Sequence, residues 1–177
     1  MDEAEFLKAV SAGYAAVDAD AGLACFGEMG IGNTTTAAAV AAALFGGEPA
    51  KWVGRGTGVD DVGLARKIEV IDKALSLHGV DGSDPLELLA RLGGYELGGI
   101  CGAVLAAAAD RCCVVLDGII STAAGLLAHL LCPGVEEYLV AGHKSVEGGQ
   151  RIALEIMGLE PVFDLDLRLG EGTGAAI

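Results

Sequence analysis

Two rhythms of apolar residues alternate along this chain: short unbroken runs, and longer stretches with an apolar residue every third or fourth position. The first kind predicts buried strands and the second predicts helices with one core-facing side. Residues 3–19 predict a helix with Phe6, Ala9, Val10, Tyr14 and Val17 on roughly one face. Its acidic opening at Asp2, Glu3 and Glu5 suits the positive end of a helix dipole. Leu23-Ala24-Cys25-Phe26 predicts a buried strand, and the helix-former run at 37–44 predicts a second helix. Phe45-Gly46-Gly47-Glu48-Pro49 ends that helix, and Lys51-Trp52-Val53 predicts a short strand. Beyond Asp60 and Asp61, which read as capping residues, Leu64, Ile68, Ile71 and Leu75 form an amphipathic stripe, with Glu69 and Lys73 as an i, i+4 pair.

The turn at 79–85 leads into a helix near 85–92, started by Ser83 or Asp84 ahead of Pro85. Gly93-Gly94 breaks to another helix near 95–109, whose Gly98, Gly99 and Gly102 predict close approach to a second backbone. Residues 112–116 predict a buried parallel strand, and the apolar helix opened by Ser121 and Thr122 reads as interior. A strand at 137–141, a helix at 146–157 and a last strand at 161–165 complete the pattern. This alternation predicts an α/β fold: a mostly parallel sheet with helices on both faces, residues 1–177 forming one domain.

Composition narrows the function classes. The chain is 53% hydrophobic but only 5% aromatic, with 28 glycines among 177 residues, which fits closely packed layers turning on glycine. A net charge of −14 argues against a nucleic acid or an anionic membrane as partner. An anionic ligand must therefore be held by local amides and a few basic side chains. Cys25, Cys101, Cys112, Cys113 and Cys132 form no metal-binding pattern; they read as buried thiols of a reducing cytoplasm. The apolar runs near 34–45, 101–109 and 119–132 are too short to span a bilayer, so the expectation is a soluble cytoplasmic protein with neither metal nor cofactor.

The chemistry concentrates at glycine turns. Gly27-Glu28-Met29-Gly30-Ile31-Gly32-Asn33-Thr34-Thr35-Thr36 stands between a predicted strand and a predicted helix. Glycines let a ligand approach the backbone, and free amides at a helix N-terminus favour an anion. Asn33 or a threonine suits the cap. Asn33 replaces the lysine that a nucleotide-triphosphate loop needs, so that chemistry is disfavoured. Glu28 would repel phosphate; it suits ribose hydroxyls or a cationic ring, or else bonds neighbouring amides. Gly-x-Gly-Thr-Gly occurs twice, at 54–58 and 170–174. Glu28, Asp117, His143, Lys144, Ser145 and Glu171 all fall at predicted carboxyl ends of strands, where parallel sheets bind ligands.

Five segments carry a family resemblance: GEMGIGNTT at 27–35, GRGTGVDDVGLARK at 54–67, VLDGIIS at 115–121, HKSVE at 143–147 and LRLGEGTGA at 167–175. In order, along the whole chain, they closely resemble the nicotinate-nucleotide–dimethylbenzimidazole phosphoribosyltransferases, enzymes of cobalamin biosynthesis. The resemblance implies transfer of phosphoribosyl from nicotinate mononucleotide to 5,6-dimethylbenzimidazole, giving α-ribazole 5′-phosphate and nicotinate. It implies Glu171 as general base and Glu28 as a second active-site carboxylate. Leu169 beside Glu171 is expected to desolvate it in part. The phosphate would be held by Gly30, Ile31, Gly32, Asn33, Thr34, Lys67 and the region of Ser145. His143 reads as a loop-shaping residue, and His78 and His129 receive no role.

The family's chains are longer, with an N-terminal part that helps to form the benzimidazole pocket and the dimer. The present chain corresponds to the Rossmann-like nucleotide-binding core, expected to self-associate through exposed apolar surface. Two rival readings remain: a domain that binds nucleotide or a partner chain without turnover, and a phosphoribosyltransferase for another azole or a phenol.

Overall fold

The computed structural model describes residues 1–56, 58–79 and 82–177. Parts of the turn at 79–85 (Val80, Asp81) and of the first Gly-x-Gly-Thr-Gly loop (Thr57) therefore lie outside the described residues. Helix α1 (Glu3–Ala15) starts in a capping box: Asp2 accepts from the Glu5 amide at 2.8 Å, and the Glu5 carboxylate accepts from the Asp2 amide at 3.0 Å. Strand β1 (Leu23–Cys25) follows, then α2 (Asn33–Phe45), α3 (Asp61–His78), α4 (Pro85–Leu92) and α5 (Tyr95–Ala109). Strand β2 (Cys113–Leu116), α6 (Ile119–Leu131), β3 (Leu139–His143), α7 (Gly148–Met157), β4 (Pro161–Phe163) and the short α8 (Thr173–Ala176) complete the chain.

All described strand pairings are parallel and the order is β1-β2-β3-β4. Strands laid down in sequence with right-handed crossovers send every connecting helix to the same face. Side-chain burial agrees: Val114, Leu116, Leu139 and Ala141 lie beneath the helices with at most 5% exposure. Helix α6 lies at the centre of that layer, each of its residues from Ile119 to Ala128 being buried. Helix α1 packs on α5 through glycine: a Cβ on Gly13 or Gly102 would collide with the backbone of Gly99 or Val10, respectively. The backbone approach predicted from the glycines of 95–109 is present.

The opposite sheet face differs from expectation. It carries Leu23, Val140 and Val162, exposed by 64%, 36% and 58%, with Cys25 also exposed. Helix α8 covers it only at the carboxyl end, where a Cβ on Gly142 would lie 2.5 Å from the Gly174 carbonyl oxygen. The α/β class with a parallel sheet holds; helices on both faces holds only through that one short turn.

Other expectations shift for physical reasons. β1 is an exposed edge strand rather than a buried one, because it pairs only with β2 among the described strands. Residues 51–53 form no strand: Pro49–Lys51 is a 3-10 turn that buries Trp52, whose indole N–H donates to the Gly46 carbonyl at 3.0 Å. β3 begins two residues late because Val135–Tyr138 is also a 3-10 turn. The cysteines divide. Cys101 and Cys112 are buried, and burial pushes the Cys101 thiol up to about 12; Cys25 and Cys132 are exposed. Among the described residues no helix is long and apolar enough to cross a membrane.

Candidate active site

The carboxyl ends of β1, β2 and β3 open into a cleft of about 410 Å³. Its wall includes Glu28, Gly30, Ile31, Gly32, Asn33, Thr34, Lys67, Asp117, His143, Ser145, Glu147 and Glu171. Every site residue expected from the sequence therefore lines one cavity, although the chain separates Glu28 from Glu171 by most of its length. Lys144 is the exception among the strand-end polar groups. It turns away and pairs with Asp164 at 2.8 Å.

Helix α2 supplies one wall. Its N-cap is Gly32, at φ +97°, rather than Asn33 or a threonine, and no side chain among the described residues makes a cap bond. An uncapped helix end offers its amides to an anion. Lys67 reaches this wall from α3: its ammonium donates to Thr34 Oγ1 at 2.7 Å and to the Gly54 carbonyl at 3.4 Å. Burial holds the Lys67 ammonium below its ordinary range, with the nearby Glu147 carboxylate pulling the other way. A partly buried ammonium beside an uncapped helix end makes this wall electropositive.

The two sequence-predicted carboxylates occupy the other side. Glu28 folds back over its own loop, accepting from the Gly30 amide at 3.1 Å and from the Asn33 side-chain amide. Its other oxygen faces the 170–172 loop, since a Cβ on Gly170 would lie 3.7 Å from Glu28 Oε1. The two loops meet backbone to backbone: a Cβ on Gly27 would lie 2.5 Å from the Glu171 carbonyl carbon. Only glycine at 27 permits that approach. Glu171 sits at φ +60°, between Gly170 at +77° and Gly172 at +81°. It is exposed, and Leu169 is itself 58% exposed, so the desolvation expected from Leu169 is not supplied.

Three buried polar side chains hold these loops: Asp117, already expected at a strand end facing the ligand, and Glu147 and Gln150, which no motif singles out. The Glu147 carboxylate accepts from the Gly56 amide at 2.6 Å and fills the space where a side chain on Gly54 would stand. Asp117 accepts from the amides of Gly172 at 3.0 Å and Gly174 at 2.6 Å. Gln150, fully buried, donates to the carbonyls of Asp117 and His143 at 3.2 and 3.1 Å and accepts from the Ser145 amide at 2.6 Å. It thereby ties the ends of β2 and β3 to the Ser145 loop. The only local signal was an acidic residue closing a buried strand, in Leu116-Asp117-Gly118. His143 Nε2 stands 3.5 Å from Asp117, which fits the loop-shaping role expected of it. Among the described residues no group of three or more His, Cys, Asp and Glu converges as a metal site would.

A phosphoribosyltransferase family model matches residues 1–177. The chain belongs to that family. It is 54% identical over its whole length to the nicotinate-nucleotide–dimethylbenzimidazole phosphoribosyltransferase of Mesorhizobium japonicum, covering 53% of that protein. It is 51% identical to the enzyme of the same name from Roseiflexus sp., covering 51% of it. A crystal structure of CobT from Thermus thermophilus superimposes with a TM-score of 0.88 at 47% identity, over 98% of this chain and 52% of that one. The chain thus spans about half the length of the relatives it matches.

Proposed function

We propose that this chain is the nucleotide-binding core of a phosphoribosyltransferase that moves phosphoribosyl from nicotinate mononucleotide to 5,6-dimethylbenzimidazole. The observation that carries the reading is the meeting of the Glu28 and Glu171 loops, at Gly27, in the cleft that also holds Lys67 and the uncapped start of α2. One wall suits a phosphate and the other presents carboxylates, so a nucleotide lying across the cleft has its C1′ between them.

The loop at 30–34, Lys67 and the Ser145 loop hold the phosphate in this reading, with the Gly30 and Asn33 amides kept by Glu28 and the Gly30 carbonyl. The benzimidazole nitrogen attacks C1′ from the face opposite nicotinate; the C1′–nitrogen bond breaks and its electron pair returns to the nicotinate ring. Glu171 takes the benzimidazole N–H proton, leaving neutral α-ribazole base and free nicotinate. Met29, Ile31 and Leu169, exposed by 80%, 105% and 58%, form an apolar rim for a flat base. No metal or cofactor takes part, and we assign the chain to the cytoplasm.

A second reading is supported by the exposure of Glu171 and by the half-length match: the core binds nucleotide but turns over only with further polypeptide covering the base. The open sheet face supports self-association, or docking of that polypeptide, through Leu23, Val140 and Val162. A sedimentation profile that stays monomeric at high concentration would count against self-association.

Titration calorimetry with nicotinate mononucleotide, followed by dimethylbenzimidazole and chromatography for α-ribazole phosphate, tests both readings. Binding with product supports the transferase. Binding without product supports the nucleotide-holding core, and no binding rejects both.

A further inference from the structure

The Gly170-Glu171-Gly172 loop has too little of its own to hold its shape. Three consecutive residues stand in the left-handed region, one of them a glutamate, and this conformation is unfavourable for any residue with a Cβ. The helix that follows, α8, is a single turn of four residues and has no stability in isolation. Within the loop and α8 the backbone bonds are local, from Thr173 N to the Gly170 carbonyl at 3.0 Å and from Ala176 N to the Gly172 carbonyl at 3.1 Å. Something outside must select this conformation over the extended alternatives.

Asp117 is placed to do so. It closes β2, 4% exposed, with its carbonyl held by Gln150. Its two carboxylate oxygens divide the work: Oδ2 accepts from the Gly172 amide at 3.0 Å and Oδ1 from the Gly174 amide at 2.6 Å. Both bonds are charge-assisted and buried, which makes them strong and directional. They fall on the residue directly after Glu171 and on the second turn position of α8. Together they fix where the Glu171 Cα stands relative to Gly27 and so which way its carboxylate can point.

We propose that Asp117 is the positioning residue for Glu171, holding the strained loop in the conformation that presents the Glu171 carboxylate to the cleft. That the presented carboxylate serves as general base rests on the function proposed above; the clamp itself does not. An asparagine at 117 is nearly isosteric but can offer only one acceptor to two amides. Its own NH₂ would face a backbone N–H, so one bond is lost and a donor–donor contact replaces it.

The experiment has two arms. In the first, amide hydrogen exchange is followed in the unsubstituted chain and in Asp117→Asn. The expected result is protected Gly172 and Gly174 amides in the unsubstituted chain, exchanging about tenfold faster or more in the variant. The Thr35 amide, bonded to Gly32 at 2.8 Å in α2, should keep its rate. Freely exchanging Gly172 and Gly174 amides in the unsubstituted chain would overturn the clamp, whether or not the variant folds. In the second arm, turnover of nicotinate mononucleotide and dimethylbenzimidazole is measured for Asp117→Asn, Glu171→Gln and the double variant. Asp117→Asn should lower the rate by about 10- to 100-fold, the scale of a misplaced catalytic group. Nucleotide affinity should not change, and Glu171→Gln should lose nothing further when Asp117→Asn is added. Losses that multiply in the double variant, or nucleotide affinity that falls with the rate, would overturn the positioning role. An unsubstituted chain that neither binds nor turns over nucleotide would reject the proposed function instead, and the first arm would still decide the clamp.

Discussion

The two Gly-x-Gly-Thr-Gly loops share a spelling and differ in shape. At 54–56 the middle residue, Arg55, has an ordinary backbone and turns its guanidinium to Asp61 and the Val59 carbonyl. At 170–172 the middle residue, Glu171, is forced into the left-handed region and stays exposed at the cleft. Each loop is pinned by a buried carboxylate from a distant element, Glu147 in one case and Asp117 in the other. Among the described residues Glu147 holds one amide, whereas Asp117 holds two, on either side of Thr173. The glycines make both turns possible, and the number and placement of acceptors decide which turn forms. One loop ends up serving the ammonium side of the cleft and the other its carboxylate side.

Breaking the carboxylate side should have the largest effect. Glu171→Gln, in a form of the chain that turns over, should lose about 10²–10⁴ in rate with nucleotide affinity kept, measured as α-ribazole phosphate formed. Near-unchanged turnover would remove Glu171 as the base. Lys67→Ala tests the other side. Loss of one charge-assisted bond to phosphate should weaken nicotinate mononucleotide by about 10- to 100-fold in calorimetry and leave dimethylbenzimidazole unaffected.

The pH dependence follows from the burial of Lys67, which lowers its proton affinity in the folded chain. Approaching its ordinary range from below, the folded chain gives up this proton before the unfolded chain does. The unfolded state then binds more protons, so the Lys67 contribution to stability rises with pH. Phosphate affinity falls over the same window, because the neutral amine no longer attracts an anion. In Lys67→Arg this alkaline loss of affinity should disappear.

Two smaller substitutions sharpen the difference between the loops. Glu147→Ala leaves the Gly56 amide buried and unpaired, and should cost about 1–3 kcal/mol in chemical denaturation. Glu171→Gly should do the reverse, stabilising the chain by about 1 kcal/mol through relief of its backbone conformation. Arg55→Gly should bring no such gain, because Arg55 has nothing to relieve. Equal responses at 55 and 171 would mean that the two turns are alike in solution.

The fold is legible wherever neighbours in sequence decide the outcome. The stripe at Leu64, Ile68, Ile71 and Leu75, the Asp60 cap and the glycine contact between α1 and α5 follow from spacing alone. Misreadings come where a bond or pairing outside the segment decides. Lys51-Trp52-Val53 looks like a strand until Trp52 finds the Gly46 carbonyl, and Leu23 looks buried until β1 proves to be an edge. The candidate site divides the same way. Glu28, Lys67 and Glu171 stand in recognisable motifs, whereas Asp117 meets its amides 55 and 57 residues away and Glu147 meets Gly56 across 91. No local pattern announces such a bond.

The open sheet face governs how the chain answers to temperature. Leu23, Val140 and Val162 are already wet in the folded state, so unfolding adds little hydration there. The heat-capacity increment should therefore fall below the roughly 12–15 cal/mol/K per residue of a domain covered on both faces. Its stability curve should be correspondingly flat. Any polypeptide that comes to lie on those side chains should betray itself by a negative heat-capacity change on binding, before a single contact is mapped.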